Sequence, residues 1–125
     1  MTSIDLSNKT AVVTGGGQGL GHATANALHA AGANVAITYF EDPDGTNKTR
    51  AEETANALGE RAFAVVGDVR DRSSMATTLD AVIERFGSLD IVVNNAAILR
   101  DRSLKKMEDA EWNAVIETNL TGVYN

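Results

Sequence analysis

The chain has 125 residues, 43% of them apolar, and a formal net charge of −6 at pH 7. That is one domain's worth at most, and an acidic balance without a long lysine or arginine run excludes the usual nucleic-acid and anionic-membrane binders. With no cysteine, disulfides, thiolate nucleophiles and cysteine-ligated metals are excluded too, and with no leader-like start or long apolar stretch a cytoplasmic enzyme is expected.

The first element is a strand predicted over 10–14, where Ala11-Val12-Val13 runs into Thr14-Gly15-Gly16-Gly17-Gln18-Gly19-Leu20-Gly21. A strand that turns through glycines into a helix start offers free N–H groups and a positive dipole end to an anion, with no Cβ in the way. Gly21 is followed by His22 and Ala23 rather than Lys and Ser or Thr, which rules out a Walker-type loop. A strict G-x-G-x-x-G fails at Leu20. By itself the cluster fits either a phosphate cradle or a ligand-free turn. The next helix places Leu20, Ala23, Ala27, Leu28 and Ala31 on one stripe and stops at Gly32. His22 and His29 on that helix are about 10 Å apart along its axis, too far to share an ion, and read as exposed.

A second strand is predicted over 34–39, followed by the turn-rich stretch Glu41-Asp42-Pro43-Asp44-Gly45-Thr46-Asn47. A helix over 50–58 then ends at Gly59, and its Glu52-Glu53 pair beside Arg50 reads as a solvated face. The third strand, 62–67, is closed by Asp68-Val69. Met75, Leu79, Val82, Ile83 and Phe86 mark a third helix that stops at Gly87. Gly32, Gly59 and Gly87 all sit where a helix end favours a left-handed residue. A fourth strand over 89–94 leads to Asn94-Asn95-Ala96-Ala97. Beyond it, Trp112, Val115, Ile116, Leu120 and Val123 form a helical apolar stripe that also carries Asn119, a buried amide in need of partners.

Strands alternating with helices give an α/β fold with a doubly wound parallel sheet. Ligands of such sheets bind beyond the carboxyl ends of the strands, where the chain has its unusual residues. The pattern T-G-x-x-x-G-x-G from Thr14 to Gly21, Asp68-Val69, Asn94 to Ala97, and Asn119 occur in the order and approximate spacing of the short-chain dehydrogenase/reductase family. The chain resembles that family from Lys9 to Asn125.

The resemblance implies a Rossmann-like sheet of order 3-2-1-4, with residues 1–125 as the amino-terminal part of a single, longer NAD(P)-binding domain. Gly15 would make the tight turn, Gly19 would let the backbone reach the pyrophosphate, and Gly21 would let the helix pack on the sheet. The backbone from Gln18 to Leu20 would contact ribose and phosphate, Asp68 and the Val69 amide the adenine, and Asn95 and Ala96 the ribose on the adenosine side. Ala97 stands where the family has glycine, and the loop 41–47 is longer than usual. Asn119 would hold a helix distortion and a water leading to a catalytic lysine. The family's serine and Tyr-x-x-x-Lys proton donor are not found, since Tyr39 is followed four residues later by Pro43 and Tyr124 stands one residue from the last.

The cofactor implied is NADP, because Tyr39 replaces the acid expected at the end of the second strand; NAD is the alternative, through Glu41 or Asp42. Gln18 occupies a position that is basic in many NADP-preferring relatives. The region 98–120 looks most like reductases of 3-oxoacyl thioesters on carrier protein or coenzyme A. A 3-hydroxyacyl-coenzyme A dehydrogenase is a near match, and a homo-oligomer is implied for the full-length enzyme. The alternative is a non-catalytic nucleotide-binding module or an inactive fragment. No metal site is expected.

Overall fold

A computed structural model describes residues 3–125. Four parallel strands, β1 (Thr10–Thr14), β2 (Asn34–Tyr39), β3 (Ala62–Val66) and β4 (Ile91–Val93), form one sheet of order β3-β2-β1-β4. β1 pairs with β2 from Thr10 opposite Asn34 to Thr14 opposite Thr38, and with β4 at Val12 opposite Val92. The period-two alternation of the strands divides the core. Val13, Val35 and Ile37 face one side, where α1 (Gly19–Ala30) and α2 (Thr46–Leu58) contribute Ala25, Ala51 and Ala55. Val12 and Ala36 face the other side, against Val82 of α3 (Arg72–Phe86).

The chain therefore builds outward from β1 through β2 to β3 with helices on one face, then crosses the other face to place β4 beside β1. That reversal leaves a crevice at the carboxyl ends of β1 and β4. Helix ends behave as the glycines foretold: Gly32, Gly59 and Gly87 all have positive φ. Asp71 opens α3 by accepting hydrogen bonds from the Ser73 and Ser74 amides.

Several local expectations are corrected. The buried face of α1 is Gly21 and Ala25, whereas Leu20 is 82% exposed, because the helix lies so close to the sheet that small residues face it. α2 begins four residues before the expected 50, because both carboxylate oxygens of Asp42 accept the Thr46 and Asn47 amides. β4 is shorter than the 89–94 expected. Finally, α4 (Asp109–Ile116) passes into a π-helical turn, Glu117–Thr121. That turn adds a residue to the helical repeat, and across it Thr118 and Gly122 are buried while Leu120 and Val123 are exposed, as is Trp112 ahead of it.

Candidate functional site

A cleft of about 450 Å³ lies at the carboxyl ends of all four strands. Its wall includes Gly15 and Gln18 after β1, Tyr39 at the end of β2 with Phe40 after it, Asp68 to Arg70 after β3, and Asn95 to Ile98 after β4. Of the sequence-predicted site residues, Gly15, Gln18, Asp68, Val69, Asn95 and Ala96 are brought together here; Gly19, Leu20, Gly21 and Asn119 do not line it.

The glycine loop is shaped by close approach. Gly15 has φ +65°, and a Cβ there would lie 3.1 Å from the Ala96 Cα. Gly19 also has positive φ, +60°, but open space around it. At Gly21 a Cβ would fall onto the Asn95 side-chain amide and 2.9 Å from the Gly15 carbonyl oxygen, so this glycine makes room for Asn95 rather than only for the sheet. Gln18 precedes α1 in extended conformation with no side-chain cap, which leaves the first amides of the helix free for an anion.

Thr14 is a hub that sequence reasoning did not single out. Its Oγ1 accepts hydrogen bonds from the Asn95 and Ala96 amides, both at 3.0 Å, while Asn95 Nδ2 donates to the Thr14 and Gly15 carbonyls at 3.0 and 3.1 Å. The two strand ends flanking the crevice are thus laced together by Thr14 and Asn95. Thr14→Val would leave two amides without an acceptor at a residue that is 3% exposed. An unfolding free energy lower by about 2 kcal/mol or more is expected; an unchanged urea midpoint would show that the hydroxyl is dispensable.

Asp68 accepts from Arg70 at both carboxylate oxygens, 2.9 and 2.8 Å, and from the Arg70 amide. The Arg70 guanidinium holds the Asp68 carboxyl below the usual aspartate range and itself lies over the Phe40 ring. Oδ1 takes two of these bonds and Oδ2 one, so Oδ2 keeps acceptor capacity. Val69 is buried against Gly122, and its carbonyl accepts from Asn125. Ala97 is exposed on the cleft wall.

Asn119 lies in the π-helical turn. Its Oδ1 accepts from the Ile98 amide and its Nδ2 donates to the Ile98 carbonyl, both at 2.9 Å. The amide pairs like a strand neighbour and pins the segment after β4 to the helix.

Two further residues depart from their sequence reading. His22 is half-buried and bridges helices, with Nδ1 on Thr54 Oγ1 at 2.9 Å and Nε2 on Asn26 Nδ2 at 3.1 Å. Arg50, read as part of a solvated face, reaches across to donate to Gln18 Oε1. Neither contact leaves a signal in local periodicity, because each depends on how α2 settles on α1. Among the described residues there is no cluster of metal-ligating side chains, and no helix is long and apolar enough to cross a membrane.

A parallel sheet wound in both directions, with a glycine turn at its reversal, defines the Rossmann-like class of α/β domains. Residues 9–125 match the short chain dehydrogenase family, and the chain belongs to it. It is similar to the 3-oxoacyl-[acyl-carrier-protein] reductase FabG of Staphylococcus aureus strain Mu50, with 41% identity over 94% of this chain and 47% of that protein. The FabG of Escherichia coli K12 is 38% identical over 97% of this chain and 47% of its own length, and that of Chlamydia muridarum is 36% identical over 96% and 48%. The chain therefore spans about half the length of the curated relatives it matches.

Proposed function

We propose that these residues are the amino-terminal, cofactor-binding part of an oxidoreductase that moves hydride between NADP(H) and a 3-oxoacyl or 3-hydroxyacyl thioester. One observation carries the cofactor assignment. The glycine loop is free of Cβ atoms where they would obstruct it and opens on a cleft whose charged lining groups, among the described residues, are Arg50, Arg70, Arg100 and Asp68. In a chain of net charge −6, such a wall suits a dinucleotide that carries phosphates. The thioester substrate rests on the similarity to the FabG proteins.

When bound, the nicotinamide supplies or takes up the hydride. The amides from Gln18 to Leu20 would receive the pyrophosphate at the start of α1, and Asp68 and Val69 would face the adenine. Asn95 and Ala96, fixed by Thr14, would hold the ribose on the adenosine side. Asn119 would maintain the π-helical turn and, through Ile98, the floor of the cleft. The proton for the developing alkoxide would come from outside these residues.

Isothermal calorimetry on the complete protein tests the cofactor assignment, with NADP+ and NAD+ as probes. Micromolar or tighter binding of NADP+ is expected, lost when Gly19 is replaced by a bulky residue that blocks the phosphate's approach. No binding of either dinucleotide, or binding unaffected by that replacement, would refute the reading.

A further inference from the structure

Of the three guanidinium groups on the cleft wall, that of Arg50 is turned toward the glycine loop and pairs with no carboxylate among the described residues. We infer that Arg50 recognises the 2′-phosphate of NADP(H), a basic group delivered to the loop from α2 rather than from the loop's own sequence. The inference rests on the cofactor reading above and adds the residue that would set the preference for the phosphorylated form.

Packing fixes the position of Arg50. A Cβ at Gly17 would lie 2.9 Å from the Ala51 amide nitrogen, so α2 seats directly on the glycine loop and its neighbour Arg50 is carried there with it. One turn later, Thr54 Oγ1 donates to the Arg50 carbonyl and faces His22 of α1, which ties the same turn to the helix after the loop. The Arg50 side chain is exposed to an incoming ligand, and Nη1 uses one of its five N–H donors on Gln18.

The neighbourhood has lost the groups that would select a free 2′-hydroxyl. In dinucleotide folds an acid after the second strand takes that hydroxyl, whereas an arginine nearby accommodates the phosphate. Here Tyr39 ends β2. Asp42 is committed to the first amides of α2, and Glu41 is exposed and does not line the cleft. The single lining carboxylate, Asp68, is matched by Arg70. A dianion beside β2 would therefore meet an unopposed planar fork of donors, the geometry that suits phosphate.

The test compares dissociation constants of NADP+ and NAD+ for the complete protein and for Arg50→Gln, measured by calorimetry. NADP+ affinity should fall by about tenfold or more, as expected for losing a charge-assisted hydrogen bond, while NAD+ affinity changes by less than about twofold. Arg50→Lys keeps the charge without the fork and should fall between the two proteins. Equal losses for both cofactors would show that Arg50 only braces the loop through Gln18, and unchanged affinities would show that it does nothing for binding; either result overturns the inference. If Arg50→Gln does not fold, Arg50→Lys and the unmodified protein decide. A preference for NADP+ that shrinks as salt is raised, and that the lysine variant weakens, supports the inference, and a preference indifferent to both overturns it. If the unmodified protein binds neither dinucleotide, the cofactor reading itself falls; if it binds both equally, only the role of Arg50 does.

Discussion

Replacing Gly21 by leucine should abolish dinucleotide binding and destabilise the fold together. The new Cβ would fall onto the Asn95 amide and 2.9 Å from the Gly15 carbonyl oxygen, so the Asn95 side chain must leave the two carbonyls it bridges. Two lost hydrogen bonds at about 1 kcal/mol each, with overpacking on top, give roughly 3–5 kcal/mol. Binding should weaken more than about a hundredfold, and the melting temperature should drop by roughly 6–20 °C for a domain of ordinary size. Gly19 provides the contrast. A side chain there has open space and is opposed only by the backbone at φ +60°, so Gly19→Ala should cost about 1–2 kcal/mol of stability. Calorimetry and thermal melts of the two variants side by side check the distinction, and equal melting temperatures would mean that Asn95 yields without cost.

The 125 residues expressed by themselves should reduce no carbonyl compound and should self-associate. Tyr39 has Pro43 four residues on, and Tyr124, its ring under the Arg72 guanidinium, has no lysine in that relation. Without a positioned proton donor the rate falls by about 10²–10⁴ even with cofactor in place. Trp112, Leu120 and Val123 are 54%, 65% and 51% exposed, large apolar side chains that favour association. β4 pairs only with β1, and Val92 is 50% exposed, so a sheet edge is open beside it. Size-exclusion chromatography and dye binding should report aggregates or loose packing. A monodisperse, cooperatively unfolding preparation that oxidises NADPH with an acetoacetyl thioester would overturn both parts, and would move the proton donor to Tyr124 or another group within these residues.

The layout of the fold was legible from local pattern. Short apolar runs of period two, helical stripes, and glycines at helix ends are properties of neighbours in the chain, and they place the four strands, whereas the reversal between β1 and β4 was implied by the family resemblance. The glycine loop, Asp68-Val69 and Asn95-Ala96 follow strand ends, so a parallel sheet gathers them without further information. Contacts across long separations were not legible. Thr14 meets the Asn95 amide 81 residues away, and Arg50 meets Gln18 32 residues away, because β4 returns beside β1 and α2 seats on Gly17. The stripe holding Asn119 also misled, since a helical period of 3.6 does not register the extra residue of a π turn. The sequence by itself determined the elements, their order and the end of the sheet where a ligand would sit, because those follow from chain-local periodicity and chirality. Only the tertiary structure decided which side chains lace the cleft and which charge faces it, because hydrogen bonds and steric gaps between distant elements exist only once the helices have packed.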